Sequence, residues 1–477
     1  MRTGHFVGAP QVFEPPPARC PGVGGVRTSE RASSVGVSSP SGWRSDSEGS
    51  GVAHYLLAVS PLRGHVMPIV NVGVGLQALG HDISVLTGVE FAGTVRDAGL
   101  RMIPLPDSVH IDAPAGTPAL LRTMPASARR FWLGRAELAT VFAEPLAAEA
   151  ESLRRVLRDE TVDAVVADMT FTGAVPVLLQ DTPRPPVVVC GVAPLTISSR
   201  DTPPFGMAWQ PEPGLDYRQM TTVAHRVIMR SSQRRFNRAL RQAGSPESPF
   251  FISDWPRLAD GLLQLTVPEF EYPRSDLPAT VDFVGPLLPT GPEEFDRPPW
   301  WDDLERADAV VHVTQGTFDN ADLDQLIAPT LEALGGRRDL LVVATTGGRR
   351  GQHMRARVPD NARIAEWIPY SALLPHVDVM ITNGGYGGVQ YALGHGVPLI
   401  VAGETSDKAE VAARVDYCGV GIDLKTARPA PAAVGAAVDL IRCDGRYRAA
   451  AEAMRAAIAA STPVDAIANT LKRLCGA

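Results

Sequence analysis

Val377-Asp378-Val379-Met380-Ile381 is a short apolar run, Asn383-Gly384-Gly385-Tyr386-Gly387-Gly388 follows it, and Val389 to Leu393 reads as helix. Five mostly apolar residues bounded by a glycine cluster predict a buried strand. Strand, glycine-rich turn and helix together make the βα unit from which parallel sheets are built. Glycines let the backbone approach an anion, and a helix amino terminus offers free N–H groups and a positive dipole. A diphosphate fits such a turn. The competing reading is a flexible connection, and the flanking strand and helix favour the phosphate.

The same alternation extends in both directions. Upstream are Ala309-Val310-Val311-His312-Val313 and Leu340-Leu341-Val342-Val343-Ala344; downstream is Pro398-Leu399-Ile400-Val401, then an alanine-rich helical tail. A second series lies nearer the amino terminus. There the strand His54–Val59 leads through Ser60-Pro61-Leu62-Arg63-Gly64-His65 to a helix from about Val66 to Leu79. Strands follow at Asp82–Leu86, Val162–Ala167 and Pro186–Cys190. Between the two series, Pro286, Pro289, Pro292, Pro298 and Pro299 precede Trp300-Trp301, which reads as a linker. The stretch 196–250 has weak periodicity and suits mobile loops and short helices over a cleft.

The expected organisation has four parts. Residues 1–50, rich in Pro, Gly, Ser and Arg, form a disordered extension without chemistry. Residues 51–285 form one domain, 286–303 the linker, and 304–477 a second domain with its helical tail. The fold class is α/β, two Rossmann-like doubly wound parallel-sheet domains whose carboxyl-end loops face each other across a cleft.

Composition narrows the function. A chain of 477 residues exceeds one ordinary core. Its formal charge of −7 argues against a general nucleic-acid binder. Five scattered cysteines read as reduced thiols rather than a disulfide frame or zinc site. There is no apolar run long enough for a membrane span and no signal core, so a cytoplasmic location is expected.

Further candidates surround the glycine turn. Trp367, in Glu366-Trp367-Ile368-Pro369, could stack a nucleobase, although a tryptophan is commonly core. Thr317, in Thr314-Gln315-Gly316-Thr317, could hold a phosphate oxygen or close an ordinary turn. Asp407, in Gly403-Glu404-Thr405-Ser406-Asp407-Lys408, could accept from sugar hydroxyls or cap the next helix. Asp322-Leu323-Asp324 is a DxD triplet, but it stands at a helix start, where capping is the expected role. In the first domain, His65 follows the first strand and Asp168 ends the strand Val162–Ala167, on the same sheet edge. An imidazole has the pKa to take a hydroxyl proton near neutrality, and a carboxylate fixes its tautomer.

Trp367-x-Pro369, the box 383–388, Gly396-Val397-Pro398 and Asp407 stand in the order found in family-1 GT-B glycosyltransferases. The chain resembles that family from about residue 54 to its end, most specifically in the carboxyl-terminal block. Relatives include plant secondary-metabolite, bacterial macrolide and mycobacterial glycolipid enzymes. The resemblance implies that Trp367 stacks the base, that Thr317 with Asn383, Gly384, Gly385, Gly387 and Gly388 holds the diphosphate, and that Asp407 binds the sugar. Gly64-His65-Val66-Met67-Pro68 matches the box carrying the family's catalytic base, and Asp168 matches its partner.

Three departures stand out. Asn383 replaces the usual His; its amide can still donate to phosphate. Tyr391 replaces the Glu that accepts from ribose hydroxyls, which points to a thymidine diphosphate donor over a uridine one. Lys408 replaces Gln, which bears on sugar preference. The expected function is inverting transfer from a nucleotide sugar to a hydroxyl of a hydrophobic natural product or glycolipid, without a metal or cofactor. A lipidic acceptor would bring the chain to the inner membrane face as a peripheral protein. The rivals are a nucleotide-sugar 2-epimerase and a non-catalytic nucleotide-sugar-binding homologue. A Rossmann dehydrogenase fails, because no GxGxxG follows the first strand.

Overall fold

The computed structural model describes residues 51–111, 124, 126–288, 295–317, 320, 322–348, 357–404 and 407–476. The expected extension 1–50 and the centre of the expected linker, 289–294, lie outside the described residues. Residues 51–477 form one compact unit.

Two wholly parallel sheets organise it. The first comprises β1 (His54–Ala58), β2 (Asp82–Thr87), β3 (Arg101–Pro104), β4 (Ala164–Asp168), β5 (Val187–Gly191), β6 (Gly261–Gln264) and β7 (Val281–Phe283). The second comprises β8 (Val310–Thr314), β9 (Leu341–Thr345), β10 (Ala362–Ala365), β11 (Val379–Thr382), β12 (Leu399–Val401) and β13 (Gly421–Asp423). Their orders are β3-β2-β1-β4-β5-β6-β7 and β10-β9-β8-β11-β12-β13. Each chain path runs outward from one central strand, reverses, and resumes on that strand's other side, which is the doubly wound arrangement.

The central strands are apolar on both faces because helices cover both. In β1, Leu56 and Ala58 join one core while Tyr55 and Leu57 join the core on the opposite face. In β8, Val311 and Val313 pack on one side and Val310 on the other. The strands without a clear sequence signal are β3, β6, β7, β10 and β13. Four of them are sheet edges, and all five have only three or four residues.

Three local expectations are corrected. The first helix spans Arg63–Ala78, so His65 sits in its first turn and not in the preceding loop. Leu62 is extended, and its carbonyl accepts from the His65 and Val66 amides, each at 2.8 Å; this nucleates the helix early and leaves Pro68 inside it. The stretch 196–250 is more regular than expected, containing the 13-residue helix Arg230–Gln242. Of the expected linker, Trp301 is buried in the core of the second sheet's domain. The closing helix Pro463–Cys475 leaves that domain, inserting Ile467 and Leu471 beside Leu57, Val66 and Leu76 on the first sheet.

Candidate active site

Each sheet has one switch point, and the candidate residues stand at both. In the first, β1 pairs with β4, Ala58 opposite Ala167. His65 lies just beyond β1, and Asp168 ends β4. His65 Nδ1 is 2.9 Å from Asp168 Oδ1. The imidazole is 20% exposed and the carboxylate is fully buried. Asp168 Oδ2 accepts from the Thr170 amide at 3.0 Å and from its hydroxyl. That network holds the carboxylate still and leaves His65 Nε2 for the cavity that the residue lines. Burial alone would lower the imidazole pKa. The charge and hydrogen bond of Asp168, with Asp407 and Glu137 behind them, outweigh burial and hold it above its ordinary value.

A second buried carboxyl ties the same loops from beneath. Glu149, on the helix Leu146–Asp159, accepts from Ser60 Oγ at 2.7 Å and from the Gly173 amide at 3.0 Å. Ser60 begins the segment leading to His65, and Gly173 belongs to the turn after Asp168. A side chain on Gly173 would collide with Glu149, its Cβ falling 2.4 Å from the Glu149 Cβ. Burial, opposed by these hydrogen bonds and reinforced by Asp168, pushes the Glu149 carboxyl up to about 8. The sequence does carry a signal for it: Glu149 interrupts the buried stripe Leu146, Ala150, Leu153, Val156.

At the second switch point β8 pairs with β11, Thr314 opposite Thr382. The next residues, Gln315 and Asn383, bond to each other, Asn383 Nδ2 donating to the Gln315 carbonyl at 2.5 Å. The amide expected to face a phosphate thus also clamps the two loops together. Gly384 adopts φ +85°, and a Cβ there would lie 2.7 Å from Val401 Cγ1. The helix is expected from Val389 but spans Tyr386–Gly394, so Tyr386, Gly387 and Gly388, which line the cleft, form its first turn, whose amides have no partner within the helix. Asp322, as expected, caps a short turn by accepting from the Asp324 amide at 3.1 Å.

One cavity of about 1200 Å³ joins the two switch points. His65, Thr317, Trp367, Asn383, Gly385, Gly387, Gly388, Tyr391, Asp407 and Lys408 all line it; Gly384 and Asp168 stand directly behind. Trp367 is 56% exposed. Burial raises the Asp407 carboxyl while His65 and Lys408 pull it down, so the two domains' charged groups act on each other across the gap. On the first domain's side the wall is mostly apolar, with Met67, Phe131, Phe142, Phe205, Trp209 and Phe251, and it also carries Arg63, Arg130, Glu137 and Glu144. Arg129 and Glu404 pair across the cleft at 2.6 Å, a contact between residues 275 apart that no local pattern reveals.

A family model described as the C-terminal domain of erythromycin biosynthesis protein CIII-like proteins matches residues 329–474. A 4'-demethylrebeccamycin synthase of Lentzea aerocolonigenes is 37% identical over 421 residues, covering 87% of this chain and 98% of the relative. The chain is a family-1 glycosyltransferase. A UDP-glucosyltransferase A1 of Starmerella bombicola is 34% identical over 400 residues, covering 82% of this glycosyltransferase and 86% of its own length. Solved structures agree on the fold. The kitacinnamycin glycotransferase superposes with a TM-score of 0.68 at 20% identity, covering 89% of this chain and 99% of that one. A spinosyn rhamnosyltransferase complexed with thymidine diphosphate gives 0.62 at 21% identity, covering 88% and 100%. The two-sheet architecture of this glycosyltransferase is therefore the GT-B fold.

Proposed function

We propose that this glycosyltransferase inverts the anomeric centre of a nucleoside diphosphate sugar, transferring it to a hydroxyl of a hydrophobic natural product or glycolipid. The observation that carries this reading is the shared cavity, with a histidine–aspartate pair at one switch point and a glycine turn with a helix start at the other. His65 Nε2 takes the acceptor proton as the acceptor oxygen bonds to the anomeric carbon. The bond from that carbon to the diphosphate breaks on the opposite side. Asp168 stabilises the imidazolium that results. The amides at the start of the helix Tyr386–Gly394 and the Thr317 hydroxyl stabilise the departing charge, so the reading requires no metal ion.

Trp367 supplies the stacking face for the base, and Asp407 with Lys408 meets the sugar. Tyr391 offers no carboxylate to ribose hydroxyls, which favours thymidine diphosphate donors. The relatives' names include both a UDP-glucosyltransferase and an enzyme solved with thymidine diphosphate, so both bases belong in the test. The apolar wall around Phe131 and Phe251 supports a hydrophobic acceptor.

The experiment is a mass-spectrometric transfer screen with TDP- and UDP-sugars against hydroxylated hydrophobic acceptors. Wild type and His65→Ala run side by side, with and without EDTA. Transfer by wild type that persists in EDTA and collapses in the variant is the expected result. Equal turnover by both proteins would refute the base. Epimerised sugar nucleotide without transfer, or binding without any product, would replace the reading with one of its rivals. Calorimetry settles the donor, since tenfold tighter binding of UDP than TDP would end the thymidine preference.

A further inference from the structure

Residues 218–242 contain seven arginines and no carboxylate, in a chain whose formal charge is −7. They form the helix Arg218–Val223, a π-helical turn Ala224–Ile228, and the helix Arg230–Gln242. Arg218 and Arg241 pair with neighbouring carboxylates. Arg226, Arg230, Arg234, Arg235 and Arg238 are exposed and make no ion pair among the described residues. Ser232, Phe236, Ala239 and Leu240 are the buried residues of the second helix, so its arginines Arg230, Arg234 and Arg238 form a ridge on the outward face.

Exposed apolar residues precede the ridge in the chain. Met220, Val223 and Val227 stand at spacings of three and four on the preceding helical segment, which ends at Ile228, and Met229 separates it from the helix that carries Arg230. All three are exposed, Val227 at 69%. The same π-helical turn that presents Val227 to solvent places Ala224, His225 and Ile228 on the wall of the cavity, and Trp209, half exposed, lines that cavity too. A mostly apolar cavity thus lies beside a segment that carries exposed apolar residues and then a row of arginines.

We propose that this face, from Met220 to Arg238, docks the glycosyltransferase on an anionic lipid surface, with the cavity mouth toward the bilayer. The combination of exposed apolar residues with an arginine row is what an interfacial helix uses, the former entering the headgroup region and the latter meeting lipid phosphates. A nucleic acid would use the arginines and leave Met220, Val223 and Val227 without purpose. At physiological salt the Debye length is about 8 Å, so the remote acidic surface does not cancel the ridge.

The test is sedimentation of the full chain with vesicles of phosphatidylcholine alone and of phosphatidylcholine with phosphatidylglycerol. Binding to the anionic vesicles, weakened by salt, is expected. The triple variant Arg230→Glu/Arg234→Glu/Arg238→Glu should bind about tenfold less or weaker still. Val223→Asp/Val227→Asp should also lose binding, and both variants should keep transfer to a water-soluble acceptor. No binding to anionic vesicles, equal binding to both kinds, or full binding by the triple variant overturns the proposal. Retention on double-stranded DNA that the valine variant keeps and the arginine variant loses, without vesicle binding, would make the face a polyanion site instead. The vesicle measurement needs neither donor nor acceptor, so its outcome is independent of the reaction proposed above.

Discussion

Gln264 and Tyr386 meet across the cleft, Gln264 Nε2 donating to the Tyr386 hydroxyl at 3.1 Å. Gln264 ends β6 in the first sheet, and Tyr386 is the first residue of the helix that follows the glycine turn in the second domain. The same Nε2 donates to the Ala193 carbonyl at 2.5 Å. Beside them the buried Arg414 reaches from the second domain to Glu271 of the first at 2.9 Å, and to Glu410 at 3.0 Å. Glu410 in turn accepts from the Gly206 amide at 2.7 Å. The glycine turn is therefore fixed against the first domain as well as its own.

Tyr386→Phe isolates that tie, because the ring stays and only the hydroxyl leaves. A hydrogen bond of this kind contributes about 1 kcal/mol. Chemical denaturation should show a loss of that order, and the donor KM should rise several-fold as the turn loses its anchor. Unchanged stability together with unchanged donor KM would mean the contact is incidental.

The His65 imidazole titrates above its ordinary value because Asp168, Asp407 and Glu137 together outweigh burial. A base must be unprotonated, so kcat/KM should rise with pH through a limb above about 6.5. Asp168→Asn removes the largest upward influence and leaves burial to dominate. The limb should then move to lower pH, and turnover should fall ~100-fold or more as the tautomer is lost. A limb that stays in place would show that the carboxylate does not govern the imidazole.

Much of this was legible in the sequence, for a physical reason. Interior strands of a parallel sheet are covered on both faces, so β1, β4, β5, β8 and β11 are continuous apolar runs that stand out against their surroundings. Edge strands such as β7 and β13, three residues each, make too little pattern to see. The placement of His65, Asp168 and the 383–388 segment is legible because each follows or ends such a run, and the topology brings those ends together. In the sequence Tyr386 stands out only as part of the glycine box. Its partner lies 122 residues away, and no periodicity reports a bond of that separation. Arg414 is hidden for the same reason: a buried arginine in a helix is visible only once its carboxylates are placed.

Trp367 tests the proposed donor site with little structural disturbance, since the residue is more than half exposed. Stacking on a base is worth about 1–3 kcal/mol by alanine substitution. Trp367→Ala should weaken TDP and UDP binding by about tenfold in calorimetry. Its melting temperature should stay near that of wild type, because little core is lost. Retained nucleotide affinity would move the base to another face of the cavity.

Glu149 offers the sharpest separation of structure from charge. Its carboxyl is raised to about 8 in the folded chain, against about 4.3 when unfolded. A raised folded value favours the protonated form, so its contribution to stability is complete below the unfolded value. That contribution is lost progressively as pH rises to about 8. Glu149→Gln carries no such charge. Its carbonyl can accept from Gly173, and its amide can donate to Ser60. The variant should therefore gain stability relative to wild type between pH 5 and pH 8, read as a widening difference in melting temperature, while keeping transfer activity. Glu149→Ala breaks both ties and opens a void, at a cost of about 2 kcal/mol or more at every pH. It should lower kcat with nucleotide affinity unchanged, because the loops bearing His65 and Asp168 lose their common support while the donor half is untouched. If Glu149→Gln lost activity as fully as Glu149→Ala, the ionised carboxylate itself would be needed, and a purely positional role would be wrong.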